Sequence, residues 1–260
     1  MPELHQKWHI DRDDDVCVLR YDGGDRKTLG IDGAGQLAAL LEERAGRDSP
    51  PVLVLVLEIL HAELNEVLEM AAGRPIAEWA PWLAAISGLE SYPSATVAAV
   101  PVQATCGGCE LALGADIRVA APTARMGVLE TRIGLIPGAG GTQRLPGLIG
   151  MGNASLLVLT GEAVSGTEAH RMGLVQLLDD DPVAAAVGLA ERLAAVGPDV
   201  LRAAKRGLRA ATTTTPEGFR EEGRGFLSVV GRPETVATMK DWVARQDAGT
   251  NPATDPSPLP

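Results

Sequence analysis

Apolar positions along the chain fall into two rhythms. Val16 to Tyr21, after an acidic turn, has the length and make-up of one strand, and Asp22-Gly23-Gly24-Asp25 reads as a turn. From Ile31 to Ala45 the rhythm is helical, with Leu37, Leu40, Leu41 and Arg44 on one face and a stop at Gly46 followed by Pro50 and Pro51. Val52 to Leu57, VLVLVL, is an unbroken apolar run of strand length, the mark of a strand covered on both faces. Glu58 to Ala72 and Ile76 to Leu89 then read as helices, the second with Ile76, Trp79, Trp82, Leu83, Ile86 and Leu89 on one side. Ala95 to Val102 is another buried strand.

The alternation continues with a helix over Gly107–Ala115 and a strand over Ile117–Ala121. Helices over Gly140–Ile149, Met151–Leu159 and Ser165–Met172 follow, then a strand over Leu174–Leu178. Strands cease after Asp179-Asp180-Asp181, and Val183–Val196, Val200–Ala211, Glu217–Val230 and Pro233–Gln246 all read as helices. The expected organisation is an α/β unit over residues 1–182 and a helical region over 183–247. A Pro-, Thr- and Ser-rich tail over 248–260 is expected to be disordered.

Composition narrows the class. In 260 residues with 45% hydrophobic content a substantial core is available, and with aromatics at 3% it must be built mainly from Ala, Val and Leu. A net charge of −11 argues against a general nucleic-acid or anionic-membrane surface. Cys17, Cys106 and Cys109, an odd and small set, argue for a reducing compartment rather than a disulfide framework. With no apolar signal region at the N-terminus and no apolar run long enough to span a bilayer, the expectation is a cytoplasmic protein outside the membrane.

The candidate chemistry is concentrated between Ala104 and Leu145. Glu110 and Glu130 both lie in apolar sequence, CELALGA and MGVLETRIG. Carboxylates in apolar surroundings are suited to moving protons, and a pair can share a water or divide acid and base roles. The alternative is that each makes an ordinary ion pair, for example with Arg118, Arg125 or Arg132. Cys106-Gly-Gly-Cys109 has the spacing of a redox couple or half a zinc site. The histidines His5, His9, His61 and His170 are scattered, so the glycines, which free backbone amides at a helix start, carry more meaning, and no metal is expected. Pro137 to Thr142, PGAGGT, is either a turn presenting amides to a small ligand or a purely structural turn. Lys205, Arg206 and Arg209 read as a solvated helix face or as a patch for ligand phosphates.

Three blocks in order, VAAVPVQATCGGCELALGADIRVAAPTARMGVLE, GLIPGAGGTQRLPGLIG and LTGEAVSGTEAHRMGLV, make the stretch from Ala95 to Leu178 resemble the crotonase superfamily, in particular the enoyl-CoA hydratases. The resemblance implies a crotonase-like ββα spiral core with a helical C-terminal trimerisation region, and a homotrimer or dimer of trimers. It implies an acyl thioester of coenzyme A or of a carrier protein as substrate, with no further cofactor. Carried over by position, the backbone amide of Gly107 is one half of an oxyanion hole. Glu110 and Glu130 fall on the two catalytic glutamates, and Gly138 falls where an amide helps to hold the reacting water or acyl group.

Two departures from the family pattern stand out. The loop of the type F-S-A-G-A-D that follows the second core strand, and supplies the other oxyanion amide, is replaced here by Glu58-Ile-Leu-His-Ala-Glu-Leu-Asn65. The second amide is therefore assigned only to the neighbourhood of Ile59 to Ala62. Cys106 stands where glycine is usual. The implied activity is a hydro-lyase that hydrates a 2-enoyl thioester or dehydrates a 3-hydroxyacyl thioester. An isomerase, decarboxylase or hydrolase of such thioesters, favoured by the altered loop, and an inactive partner of another crotonase-like subunit are the alternatives.

Overall fold

The computed structural model describes residues 7–24, 27–59, 61–210 and 216–248. The chain starts with an antiparallel pair, β1 (Lys7–Asp13) and β2 (Val16–Asp22), where the apolar pattern gave only the second strand. β1 is an edge strand with His9, Ile10 and Asp11 exposed, so it needs no continuous apolar face and carries none. β3 (Thr28–Leu29) leads into α1 (Ile31–Ala45), and β4 (Val52–Val56) then lies parallel to β2 with Val16 opposite Val52. Every residue of β4 is buried, as its unbroken apolar run requires.

The segment after β4 is not the helix that its composition suggested. Ile59 bridges in parallel to Ala104, β5 (His61–Ala62) pairs in parallel with β3, and α2 covers only Leu64–Ala71. Its backbone partners come from two distant segments, a pairing that local periodicity does not encode. The next expected helix is also divided. Ile76–Trp79 is a 3-10 turn and α3 spans Ala80–Ser91, with Pro81 in its first turn. Ile76 and Leu83 are exposed as a result, while Trp82, Ile86 and Leu89 are buried.

From β6 onward the chain repeats a ββα unit. β6 (Thr96–Val100) joins β4 in parallel, β7 (Gln103–Thr105) leaves for a smaller sheet, and α4 (Gly107–Gly114) follows. β8 (Ile117–Ala120) joins β6, β9 (Arg125–Gly127) joins β7, and α5 (Gly141–Thr160) follows, bent at Gly150 where φ is 76°. β10 (Val164–Ser165), α6 (Gly166–Met172) and β11 (Leu177–Leu178) complete the two sheets, whose orders are β1-β2-β4-β6-β8-β11 and β10-β9-β7. This stepping of successive ββα units is the spiral core that the resemblance implied. The C-terminal helices α7 (Pro182–Ala194), α8 (Pro198–Ala210), α9 (Pro216–Val230) and α10 (Pro233–Asp247) each open on a proline, the residue best suited to a first helical turn. The expected tail over 248–260 lies, from residue 249, outside the described residues.

The period-two alternation divides the large sheet into two packed faces. Val16, Val18, Val52, Val54, Val56, Val97, Ala99 and Val119 face Ala186 and Ala190 of α7. Leu19, Leu53, Leu55, Leu57 and Ala98 face the opposite way, in a core shared with α1, α3 and α4 and extended by Phe226, Met239 and Trp242 from α9 and α10. Helices α9 and α10 therefore cover the second face, and the site lies beneath them.

Candidate active site

The pivot is the turn from β7 into α4. Cys106 precedes the helix with φ 49° and ψ −126°, a backbone conformation that a side chain strains. Its N–H donates to Gly127 O at 2.9 Å, which fixes the turn on β9. A Cβ on Gly107 would stand 2.8 Å from Cη2 of the buried Trp82 and 3.4 Å from the backbone nitrogen of Ala62. A Cβ on Gly108 would stand 2.4 Å from the carbonyl oxygen of Ile59, which accepts from Thr105 N–H at 3.0 Å. The glycine pair is thus required because the post-β4 segment passes directly across the start of α4.

That passage brings a second amide to Gly107. Just after β5 the Glu63 N–H donates to Leu29 O at 3.0 Å, toward β3. Backbone directions alternate along a strand, so the N–H of Ala62 faces the other way, toward Gly107. His61 donates from Nδ1 to Ala62 O, in the peptide that follows. The order Ala62-Glu63 retains the small-residue–acid pair that closes the family's loop motif, and this was the signal in the sequence that could have found it.

Glu110 lies in the first turn of α4 and is buried. Its Oε1 accepts from Ala139 N–H and from Gly141 N–H, both at 2.8 Å. The glycine-rich turn therefore presents amides, and it presents them to a carboxylate of the protein. The donors lie at the N-terminus of α5, where the helix dipole favours negative charge. Gly138 itself lies on the pocket wall, and a Cβ there would meet Phe226 at 3.0 Å. Glu130 opens a 3-10 turn over Glu130–Ile133 and is also buried on this pocket. Arg118 and Arg125, weighed as ion-pair partners, instead donate to the backbone carbonyls of Leu174, Ala112 and Ala115 and of Ala163.

All four residues singled out from the sequence, Gly107, Glu110, Glu130 and Gly138, line one pocket, together with Ala62. Its volume is about 40 Å³, and its walls come from Leu64 and Val67 of α2, from Trp79, and from Phe226 and Trp242 of α9 and α10. The helical C-terminus reads from sequence as a generic amphipathic region, so nothing in its pattern points to Phe226 or Trp242 as wall residues.

The two thiols are set up for packing. Burial, reinforced by Glu130, pushes the Cys106 thiol well above its usual value, and burial pushes Cys109 up to about 12. Neutral thiols are poor nucleophiles and poor metal ligands. Among the described residues no group of three or more His, Cys, Asp and Glu side chains is placed to hold a metal ion. The basic cluster is not one surface patch. Lys205 is buried, 2.7 Å from Asp116 and donating to Leu89 O and Ser94 O, because it ties α8 to the ends of α3 and β6. Arg206 is exposed, and the side chain of Arg209 lies outside the described residues.

Residues 62–240 match the family model described as enoyl-CoA hydratase/isomerase. The chain is 39% identical over 175 residues to the 2,3-dehydroadipyl-CoA hydratase of Escherichia coli K12, covering 66% of this chain and 68% of that one. It is 38% identical over 154 residues to human methylglutaconyl-CoA hydratase, covering 55% of this chain and 44% of that one. With human enoyl-CoA hydratase domain-containing protein 2, identity is 52% over 90 residues, 35% of this chain and 31% of the relative. The matches thus span a third to a half of the length of these two human relatives. Among solved structures, an enoyl-CoA hydratase/isomerase from Mycobacterium paratuberculosis superposes with a TM-score of 0.84 at 19% identity, covering 92% of this chain and 99% of that one, a likeness of fold. The enoyl-CoA hydratase from Bacillus anthracis superposes with a TM-score of 0.72 at 27% identity, covering 95% and 98%.

Proposed function

Because the chain belongs to the enoyl-CoA hydratase/isomerase family, we propose that it adds water reversibly across the Cα–Cβ double bond of a 2-enoyl-CoA. The observation that carries this reading is that Gly107, Ala62 and two buried glutamates line one pocket, with the Ala62 nitrogen close beside Gly107. The N–H groups of Gly107 and Ala62 hold the thioester oxygen as enolate charge develops on it. Glu110, its orientation fixed by Ala139 and Gly141, takes a proton from the water that attacks Cβ. Glu130 delivers a proton to Cα, and dehydration runs the same steps in reverse. The nearness of the Ala62 nitrogen to Gly107 supports hydration in spite of the altered loop after β4. Chemistry of this kind calls on no group beyond the thioester itself.

The reading is tested by following hydration of crotonyl-CoA at 263 nm in the wild type and in Glu110→Gln and Glu130→Gln. Each substitution is expected to lower kcat by about 10²–10⁴, the usual worth of a positioned acid or base. Near wild-type rates in both variants overturn the assignment, and conversion to a shifted double bond without gain of water would make the protein an isomerase instead.

The protein is proposed to work as a trimer or a dimer of trimers. The support lies on α5, where Met151, Leu156 and Leu159 are 68%, 50% and 75% exposed. An apolar face of this kind on a helix next to the site is what a subunit contact would cover. No helix among the described residues is long and apolar enough to cross a membrane.

A further inference from the structure

The pocket brings two acidic groups together and sets no guanidinium or ammonium against them. Glu110 and Glu130 line it, and among the described residues no lysine or arginine does. The buried basic side chains are committed elsewhere. Arg44 donates to Asp13, Arg144 donates to Glu90 and to Ala139 O, and Arg118 donates to the carbonyls of Leu174, Ala112 and Ala115. Lys205 lies on Asp116. Among the described wall residues His61 alone can become cationic, and its Nδ1 already donates to Ala62 O. Much of the remaining wall is apolar, with Leu64, Val67, Leu129, Ile133, Leu135 and Ile136. The volume, about 40 Å³, is room for about three water molecules. A carboxylate on the acyl chain would therefore lose most of its hydration on entry and meet two further acidic groups with no strong cation to offset them.

We propose that the protein selects acyl thioesters whose chain is uncharged and rejects those whose chain carries a carboxylate. This rests on the acyl-thioester reading above and adds the class of acyl chain. It sets this chain apart from two of its relatives, named for 2,3-dehydroadipyl-CoA and methylglutaconyl-CoA, acyl groups that both carry a second carboxylate. Glu110 and Glu130 then have a second role, as a charge filter on the acyl group, besides moving protons.

The test compares calorimetric binding of two saturated thioesters, glutaryl-CoA and its primary amide 4-carbamoylbutanoyl-CoA. They share length and shape, differ in charge and need no turnover. At pH 8 the acyl carboxylate is ionised and an imidazole of ordinary pKa is neutral. Wild-type protein is expected to bind the amide about 10²-fold more tightly, the scale of an uncompensated like-charge contact. Glu110→Gln and Glu130→Gln each remove one charge and keep the shape, and at least one of them is expected to narrow that ratio by about threefold or more. Equal or tighter binding of glutaryl-CoA by the wild type overturns the proposal, as does a ratio unchanged in both variants, and the wild-type comparison stands even where a variant fails to fold. The two readings fail separately. Hydration of crotonyl-CoA without a preference for the amide removes only the charge filter, whereas a preference for the amide without hydration removes only the reaction.

Discussion

Gly108 and Gly107 illustrate how single residues decide this site. Each lacks a side chain because another segment occupies the space, a backbone carbonyl in one case and a fully buried indole in the other. At Gly108 the neighbour is Ile59 O, part of a bridge to the next turn of the spiral, and it has no flexible end to move aside. Gly108→Ala is therefore expected to lose about 2–3 kcal/mol of stability, and to slow hydration as the Ala62 amide is displaced. Urea unfolding alongside the crotonyl-CoA assay checks this, and a variant with unchanged midpoint and rate would show that the segment yields. Lys205 makes the opposite point. Read as sequence it belongs to a basic patch, yet its ammonium is buried on Asp116 and two carbonyls. Lys205→Ala is expected to cost about 1.5–3 kcal/mol, the range for hydrogen bonds to a charged group, while the KM for crotonyl-CoA stays within about twofold. A KM that rises more than tenfold with stability intact would return Lys205 to a phosphate-binding role.

Among the elements, α2 and its approach by β5 carry the most consequence. The pair β3–β5 ties the post-β4 segment to the start of α1, and α2 and its N-cap residue add two carboxylates to the same join. Thr28 Oγ1 donates to Glu63 at 2.9 Å, and Ile31 N–H donates to Glu66 at 2.8 Å. Glu66 therefore caps the N-terminus of α1 while its helix supplies Leu64 and Val67 to the pocket. Burial pushes the Glu66 carboxyl up to about 7, and the bond from Ile31 opposes this only in part. With the folded value above the unfolded one, the fold retains a proton that the unfolded chain gives up. The Glu66 contribution is then complete below the unfolded value and is lost as pH rises through about 7. Glu66→Gln keeps an acceptor for Ile31 and cannot ionise. Its stability relative to wild type is expected to rise between about pH 5 and about pH 8 in urea unfolding. A pH-independent difference would remove Glu66 as the titrating group.

For the molecule as a whole, the C-terminal helices turn back over the second face of the sheet, and Phe226 and Trp242 close the site of the same chain. In the proposed trimer the exposed leucines and methionine of α5 would be covered by a neighbouring subunit. Sedimentation is expected to give the mass of a trimer or hexamer, and Leu159→Lys is expected to shift it toward the monomer because a charge cannot be buried unpaired in such a contact. A wild-type monomer at micromolar concentration would overturn the assembly.

The chain by itself determined the period of the longer elements, and with it the buried strands β4 and β6, the helices α1 and α4, and the four proline-opened C-terminal helices. These are local properties, written in the spacing of apolar residues and in the glycines and prolines that end or begin a helix. It also singled out Gly107, Glu110, Glu130 and Gly138, which line one pocket, since they sit in continuous blocks whose order is distinctive. Tertiary structure alone decided the rest. Edge strand β1 and the two-residue strand β5 have partners far away in sequence and no face of their own to advertise. The amide of Ala62, the indoles of Trp79 and Trp242 and the ring of Phe226 meet only because α2, α9 and α10 fold against the start of α4. A backbone N–H carries no residue identity and an apolar side chain looks alike in a core and in a pocket wall, so their roles depend on what the fold sets opposite them.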